Sequence, residues 1–337
     1  MEEHWIYKDQ DKRELKPLHG IILFLLVMLS FYTVIAWAQM KWGMAGLALT
    51  ELYLLLLSIA GAALLRAPLK EVFPLKKPKW VKIFAVLLMW VSAYCAVIPL
   101  TMIVAYFFPE QMFSVSGGLN EFIASVPAAA AIFISCVMPG ICEEALHRGF
   151  ILKSFQSRIK SKWGLVLLMG ILFGLFHGSV WRFVPTALLG GVLTYIMLET
   201  ENMIYPALFH FVNNLLPSLF SGFSQSSQST QEVSLAMMEN GLPLSFLGIY
   251  IAMGCAAPFG FYTAAYLLRR GEPGREQKYL ASNKILVLLV VLTVGLVVAG
   301  MAIFFCGLLR DGIFTGTGTS LSGDNWLLQS VAWIFVS

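Results

Sequence analysis

Long uncharged apolar runs recur along the 337 residues, and that recurrence limits the fold more than any other feature of the chain. Nine stretches, near 20–38, 44–65, 81–108, 122–157, 163–180, 184–198, 203–220, 242–268 and 285–309, approach or exceed the ~20 residues that an α-helix needs to cross a bilayer. In hydrocarbon a backbone must satisfy its own N–H and C=O groups, which leaves helices and closed barrels. Continuous runs, rather than two-residue alternation, select helices. The expected fold is all-α, a polytopic transmembrane helical bundle of about eight to nine spans, the sixth stretch being short for a crossing. Composition agrees: 58% of residues are hydrophobic and 12% charged, against roughly 45–50% and 25% in soluble domains.

The basic residues set an expected orientation. Lys8, Lys12, Arg13 and Lys16 precede the first stretch, and Arg66, Lys70, Lys76, Lys77, Lys79 and Lys82 follow the second. Basic residues gather again at 153–162 and 269–278, whereas 109–120 and 221–241 contain no Lys or Arg. The bias of positive charge toward the cytoplasm therefore predicts a multi-pass plasma-membrane protein with its amino terminus inside and its carboxyl terminus outside. The net charge of +4 is what loops facing anionic lipid carry, and no nucleic-acid signature accompanies it. The first apolar run is span-length and lacks an obvious cleavage site, so it reads as a retained helix and not a signal peptide.

Three regions follow. Residues 1–118 hold amino-terminal helices with cytoplasmic basic segments, 119–222 hold the polar motifs, and 223–337 hold an external loop, two further helices and a tail. The Ser/Gln-rich segment 221–230 reads as a flexible external loop, and the last apolar run, 326–336, is too short to span. The five cysteines lie in apolar context without paired spacing and read as small hydrophobes. Cys142 is no nucleophile, because two adjoining carboxylates oppose thiolate formation. No signal fixes the oligomeric state.

Against this apolar background stand Glu143-Glu144-Ala145-Leu146-His147-Arg148, His177 behind Phe173-Gly174-Leu175-Phe176, and His210-Phe211-Val212-Asn213-Asn214. An ionisable residue at bilayer depth costs about 2.5–3.5 kcal/mol on insertion scales, so one retained there suggests a function and a partner. Positions four apart share a helical face, which lays Glu144 over Arg148 and Glu143 over His147, the two pairs turned by about 100°. Glu144 with Arg148 is then a structural ion pair, and Glu143 is left to exchange protons. Each signal has a plain structural reading: a solvated helix end, a core histidine, or interhelical hydrogen bonding by His210 and Asn214. Together they say more. Glu143 lies 14 residues before 157 and His177 lies 14 residues after 163, so in antiparallel helices both sit roughly 21 Å deep. His210 enters too early in its helix to join them unless that helix begins deeper.

A glutamate and a histidine meeting across a cavity can deprotonate water for attack on a carbonyl. His210 and Asn214, four apart on one face, can donate to the oxyanion. Peptide hydrolysis needs those groups. A non-catalytic membrane scaffold and a transporter relaying protons through Glu143 and His177 are the competing classes.

Glu143-Glu144-x-x-x-Arg148, Phe173-x-x-x-His177 and His210-x-x-x-Asn214, in that order, resemble the three motifs of the CPBP family, the CAAX proteases and bacteriocin-processing enzymes also called Abi or type II CAAX prenyl endopeptidases. The resemblance covers roughly 122–220 and makes 119–222 a CPBP-like catalytic core. It implies an intramembrane glutamate-type endopeptidase in which Glu143 and His177 activate water, His210 and Asn214 form the oxyanion site, and Glu144 and Arg148 support them. It also implies roles in CAAX trimming or bacteriocin immunity. No cofactor is required on this reading. Family members have also been called metalloproteases, and the alternative is zinc held by Glu143, His177 and His210. The expected partners are the lipid bilayer and a membrane-associated protein or peptide, cut near the inner leaflet.

Overall fold

Every apolar stretch becomes a helix, and no strand occurs among the described residues. The computed structural model describes residues 13–224, 237, 241–271 and 278–310. In chain order the principal helices are α1 (Pro17–Trp42), α2 (Met44–Leu64), α3 (Trp80–Phe107), α4 (Pro109–Ala124), α5 (Ala128–Gln156), α6 (Lys162–Phe176), α7 (Phe183–Thr200), α8 (Ile204–Ser224), α9 (Leu244–Arg269) and α10 (Asn283–Arg310). Seven of these are long and apolar enough to cross a membrane: α1, α2, α3, α5, α7, α9 and α10. The chain is a multi-pass integral membrane protein. The 15-residue α6 is the short one, and the expected short sixth stretch has 18 residues as α7. Most of the Ser/Gln-rich segment and the tail beyond Arg310 lie outside the described residues.

Two boundaries differ from expectation for local reasons. The stretch 109–120, expected as a connection, is most of α4. Pro109 occupies its first turn, where a missing N–H costs nothing, and Glu110 faces the positive helix end. Helix α6 stops at Phe176 instead of near 180, because Gly178 takes a positive φ of 64° and closes the end with its N–H on the Leu175 carbonyl at 3.0 Å. His177 is thereby placed at a helix terminus.

Packing separates two kinds of helix. Helices α6 and α7 meet through glycines: a β-carbon on Gly190 would collide with the side chain of Phe173, and one on Gly170 with the backbone of α7. Small residues let helices approach closely where lipid offers no hydrophobic drive. Near the basic end Glu199 of α7 pairs with Lys162 of α6, and its other oxygen lies 3.5 Å from Arg269 of α9. Arg269 also donates to the Tyr195 hydroxyl at 2.6 Å. That network ties the ends of three helices. Helix α10 instead leans mainly on α9 through Gly300 and Gly307, with Arg310 donating to the Tyr106 hydroxyl of α3 at 2.6 Å, and leaves Val287, Val291 and Val298 exposed as a lipid-facing surface.

Candidate active site

The site grows from irregularities in α5. Pro139 has no N–H and its ring excludes the carbonyl four residues back, so the ladder cannot close on Ser135 in the ordinary way. The helix is π-wound at Phe133–Val137 and again at Ala145–Ile151, on either side of the α-helical Met138–Glu144. The Ser135 carbonyl is used by the fold instead, accepting from Asn214 Nδ2 of α8 at 3.0 Å. Asn214 Oδ1 accepts in turn from Asn213 Nδ2 at 3.2 Å.

Glu144 and Arg148 form the expected pair: Arg148 Nη1 donates to Glu144 Oε1 at 2.9 Å, with both side chains fully buried. The guanidinium also donates to the Gly190 carbonyl at 2.8 Å and lies over the Phe173 ring at 4.5 Å. Glu144 Oε1 is shared with His210, whose Nδ1 sits 2.7 Å away. A carboxylate there accepts, so Nδ1 carries the proton and Nε2 is turned elsewhere. It points toward Glu143, 3.9 Å from Oε2. Hydrogen bonds through Glu144 therefore couple α5, α7 and α8.

His210 reaches this depth because α8 begins inside the protein. Glu201 adopts the left-handed conformation, and the buried Asn202 grips the backbone of Lys76 by both ends of its amide, at 3.2 and 2.8 Å. Met203 N–H bonds the Pro74 carbonyl, and the Tyr205 hydroxyl accepts from Lys79 N–H at 2.7 Å. The segment after α2 thus pins the first turn of α8.

The other histidines divide their labour. His147 does not meet the Glu143 carboxylate. Its Nδ1 donates to the Glu143 carbonyl at 2.9 Å, and the ring lies edge-on to Phe173 and Phe176 in complete burial. His177 likewise commits Nδ1 to a carbonyl, that of Phe173 at 2.8 Å, which leaves Nε2 as its basic nitrogen. Glu143 keeps one oxygen, Oε2, buried without a hydrogen-bond partner.

Glu143 and His177, but not His210, line a cavity of about 630 Å³ whose polar wall also includes Arg182, Asn213, Asn214 and Glu51. That volume is in the range that admits small ligands and side chains. The wall is built from the end of α1, the start of α2, the later turns of α3 and the start of α7, so the cavity occupies the half of the bundle away from the basic connections. Glu51 and Arg182 were not foreseen from the motifs. Glu51 did give a signal, being the one charged residue within α2. Arg182 gave little, since it stands in a short connection between two apolar stretches.

For the alternative zinc set Glu143, His177 and His210, no three His, Cys, Asp or Glu side chains among the described residues are grouped to hold a metal ion. Nδ1 of His177 and of His210 is engaged, which leaves Nε2 of each ring free.

Residues 125–216 match the family model described as type II CAAX prenyl endopeptidase Rce1-like, consistent with the CPBP resemblance of the motifs. No curated protein and no solved structure matches the chain.

Proposed function

On the premise of the Rce1-like match across residues 125–216, we propose that the protein is an intramembrane glutamate-type endopeptidase acting on membrane-associated proteins or peptides. The observation that carries this reading is one cavity lined by both Glu143, which has an oxygen without a hydrogen-bond partner, and His177, which keeps an uncommitted ring nitrogen. A water held between them loses a proton to this pair and attacks the substrate carbonyl. The tetrahedral oxygen takes hydrogen bonds from Asn214 Nδ2 and from His210 Nε2, which donates when the ring is charged. As the C–N bond breaks, the proton passes to the leaving amine. Glu144 and Arg148 hold His210 and the α5 helix in place, and no metal or other cofactor enters these steps.

The basic connections give the expected topology, with a cytoplasmic amino terminus in the plasma membrane. The cavity then lies in the outer half of the bundle, which moves the proposed cut away from the inner leaflet. A prenylated carboxyl terminus is the substrate class that the family description suggests, and a bacteriocin-type peptide is one that the resemblance of the motifs suggests.

The test is cleavage of fluorogenic membrane peptides by purified protein in nanodiscs. Glu143→Gln should lower kcat/KM by at least ~10³-fold and His177→Ala by ~10²-fold or more, each with an unaltered melting temperature. Wild-type protein that cuts nothing, with both variants melting lower, would make the cluster structural and the protein a scaffold.

A further inference from the structure

Four carboxylates of the membrane-spanning helices are buried, and three of them have assigned company. Glu144 accepts from Arg148 and His210, Glu199 pairs with Lys162 and Arg269, and Glu143 has His210 Nε2 beside it at 3.9 Å. Glu51 differs. It is 2% exposed, its Oε2 is buried without a hydrogen-bond partner, and it lines the same cavity as Glu143.

Neighbouring polar groups are already used. Thr50 donates to the Gly46 carbonyl at 2.9 Å and accepts from Gln39 at 3.2 Å. Arg182 stands on the cavity wall, yet no ion pair joins it to Glu51 among the described residues. A buried carboxylate accepts hydrogen bonds and cannot donate them, and it is stabilised by an opposite charge brought to it. Glu51 is the eighth residue of α2, roughly 10 Å along the helix from its first residue, so a substrate whose backbone enters the cavity can bring a long side chain to it. Met28, Leu47 and Met102 line the same space and suit an aliphatic stem.

Resting on the protease reading, we propose that Glu51 forms a specificity subsite that receives a lysine or arginine side chain of the substrate, close to the scissile bond presented to Glu143. The carboxylate supplies the charge, the apolar wall packs the stem, and Glu51 takes no part in bond breaking.

The experiment is a competition in one tube between two membrane peptides identical except for Lys or Gln beside the cleaved bond. A ratio measured this way is independent of the fraction of protein that is folded. Wild type should prefer the Lys peptide by about 10-fold in kcat/KM, Glu51→Gln should bring the ratio close to 1, and Glu51→Asp should keep part of it. A wild-type ratio near 1, or a ratio that Glu51→Gln leaves unchanged, overturns the subsite while the protease reading stands. If wild type cuts neither peptide, the protease reading fails, and binding of the same two peptides in nanodiscs decides the subsite separately. A Lys preference abolished by Glu51→Gln supports it, and equal binding overturns it.

Discussion

Helices α7 and α10 are both apolar and both able to span, yet they do opposite work. The most apolar 18-residue window of α7 is 61% buried inside the protein and that of α10 is 11% buried. Helix α7 offers Gly190 to Arg148, Glu199 to the basic-end network, and two glycines to α6. Helix α10, the most apolar span, offers valines to lipid. In a bilayer apolar character marks the face that meets the solvent, and polar departures from it mark where protein meets protein or chemistry.

The sharpest way to break this contrast is Arg148→Ala. It strips the fully buried Glu144 of its cation, and the expected loss is about 3–5 kcal/mol, seen as a collapse of expression and melting temperature in detergent. A variant that melts like wild type would remove α5 and α7 from the structural centre. Next comes Asn214→Ala, expected to lower kcat by ~10²–10³-fold while KM changes little, the pattern for a donor used in the transition state. Its loss of the Ser135 bond should also soften α5, read as faster amide exchange near 135. The smallest effect belongs to α10: Val291→Ala, 60% exposed, should shift stability by less than about 0.5 kcal/mol. A larger shift would mean that α10 has a protein partner.

Much of this was legible in the sequence. Arg148 bonds Glu144 because residues four apart share a face, and the nine apolar stretches had no alternative to helix. Depth was harder to read. His210 reaches Glu144 only because Asn202 is held by Lys76, a contact between residues 126 apart in the chain that no local pattern encodes. The end of α6 depends on a single positive φ at Gly178, which the sequence does not spell out. Glu51 was readable by composition alone, but it lies outside the three motifs and so escaped a reading led by them. The pairing of His147 with a carbonyl, in place of the Glu143 carboxylate, needed the aromatic cage of Phe173 and Phe176 to be visible.

The two π-wound segments that bracket Glu143 and Glu144 carry a consequence for how this helix can change. Each wider turn is an accommodated surplus in the residue count, and such surpluses occur often at functional sites. Removing one residue from either segment would take up that surplus and restore a regular winding, whereas removing one from the α-helical Met138–Glu144 between them would rotate everything beyond it by about 100° and draw it back ~1.5 Å. The carboxylates would then swing off the cavity or the basic end off its partners. Helix α5 is therefore a ruler as much as a sequence: its letters can be exchanged more freely than their number.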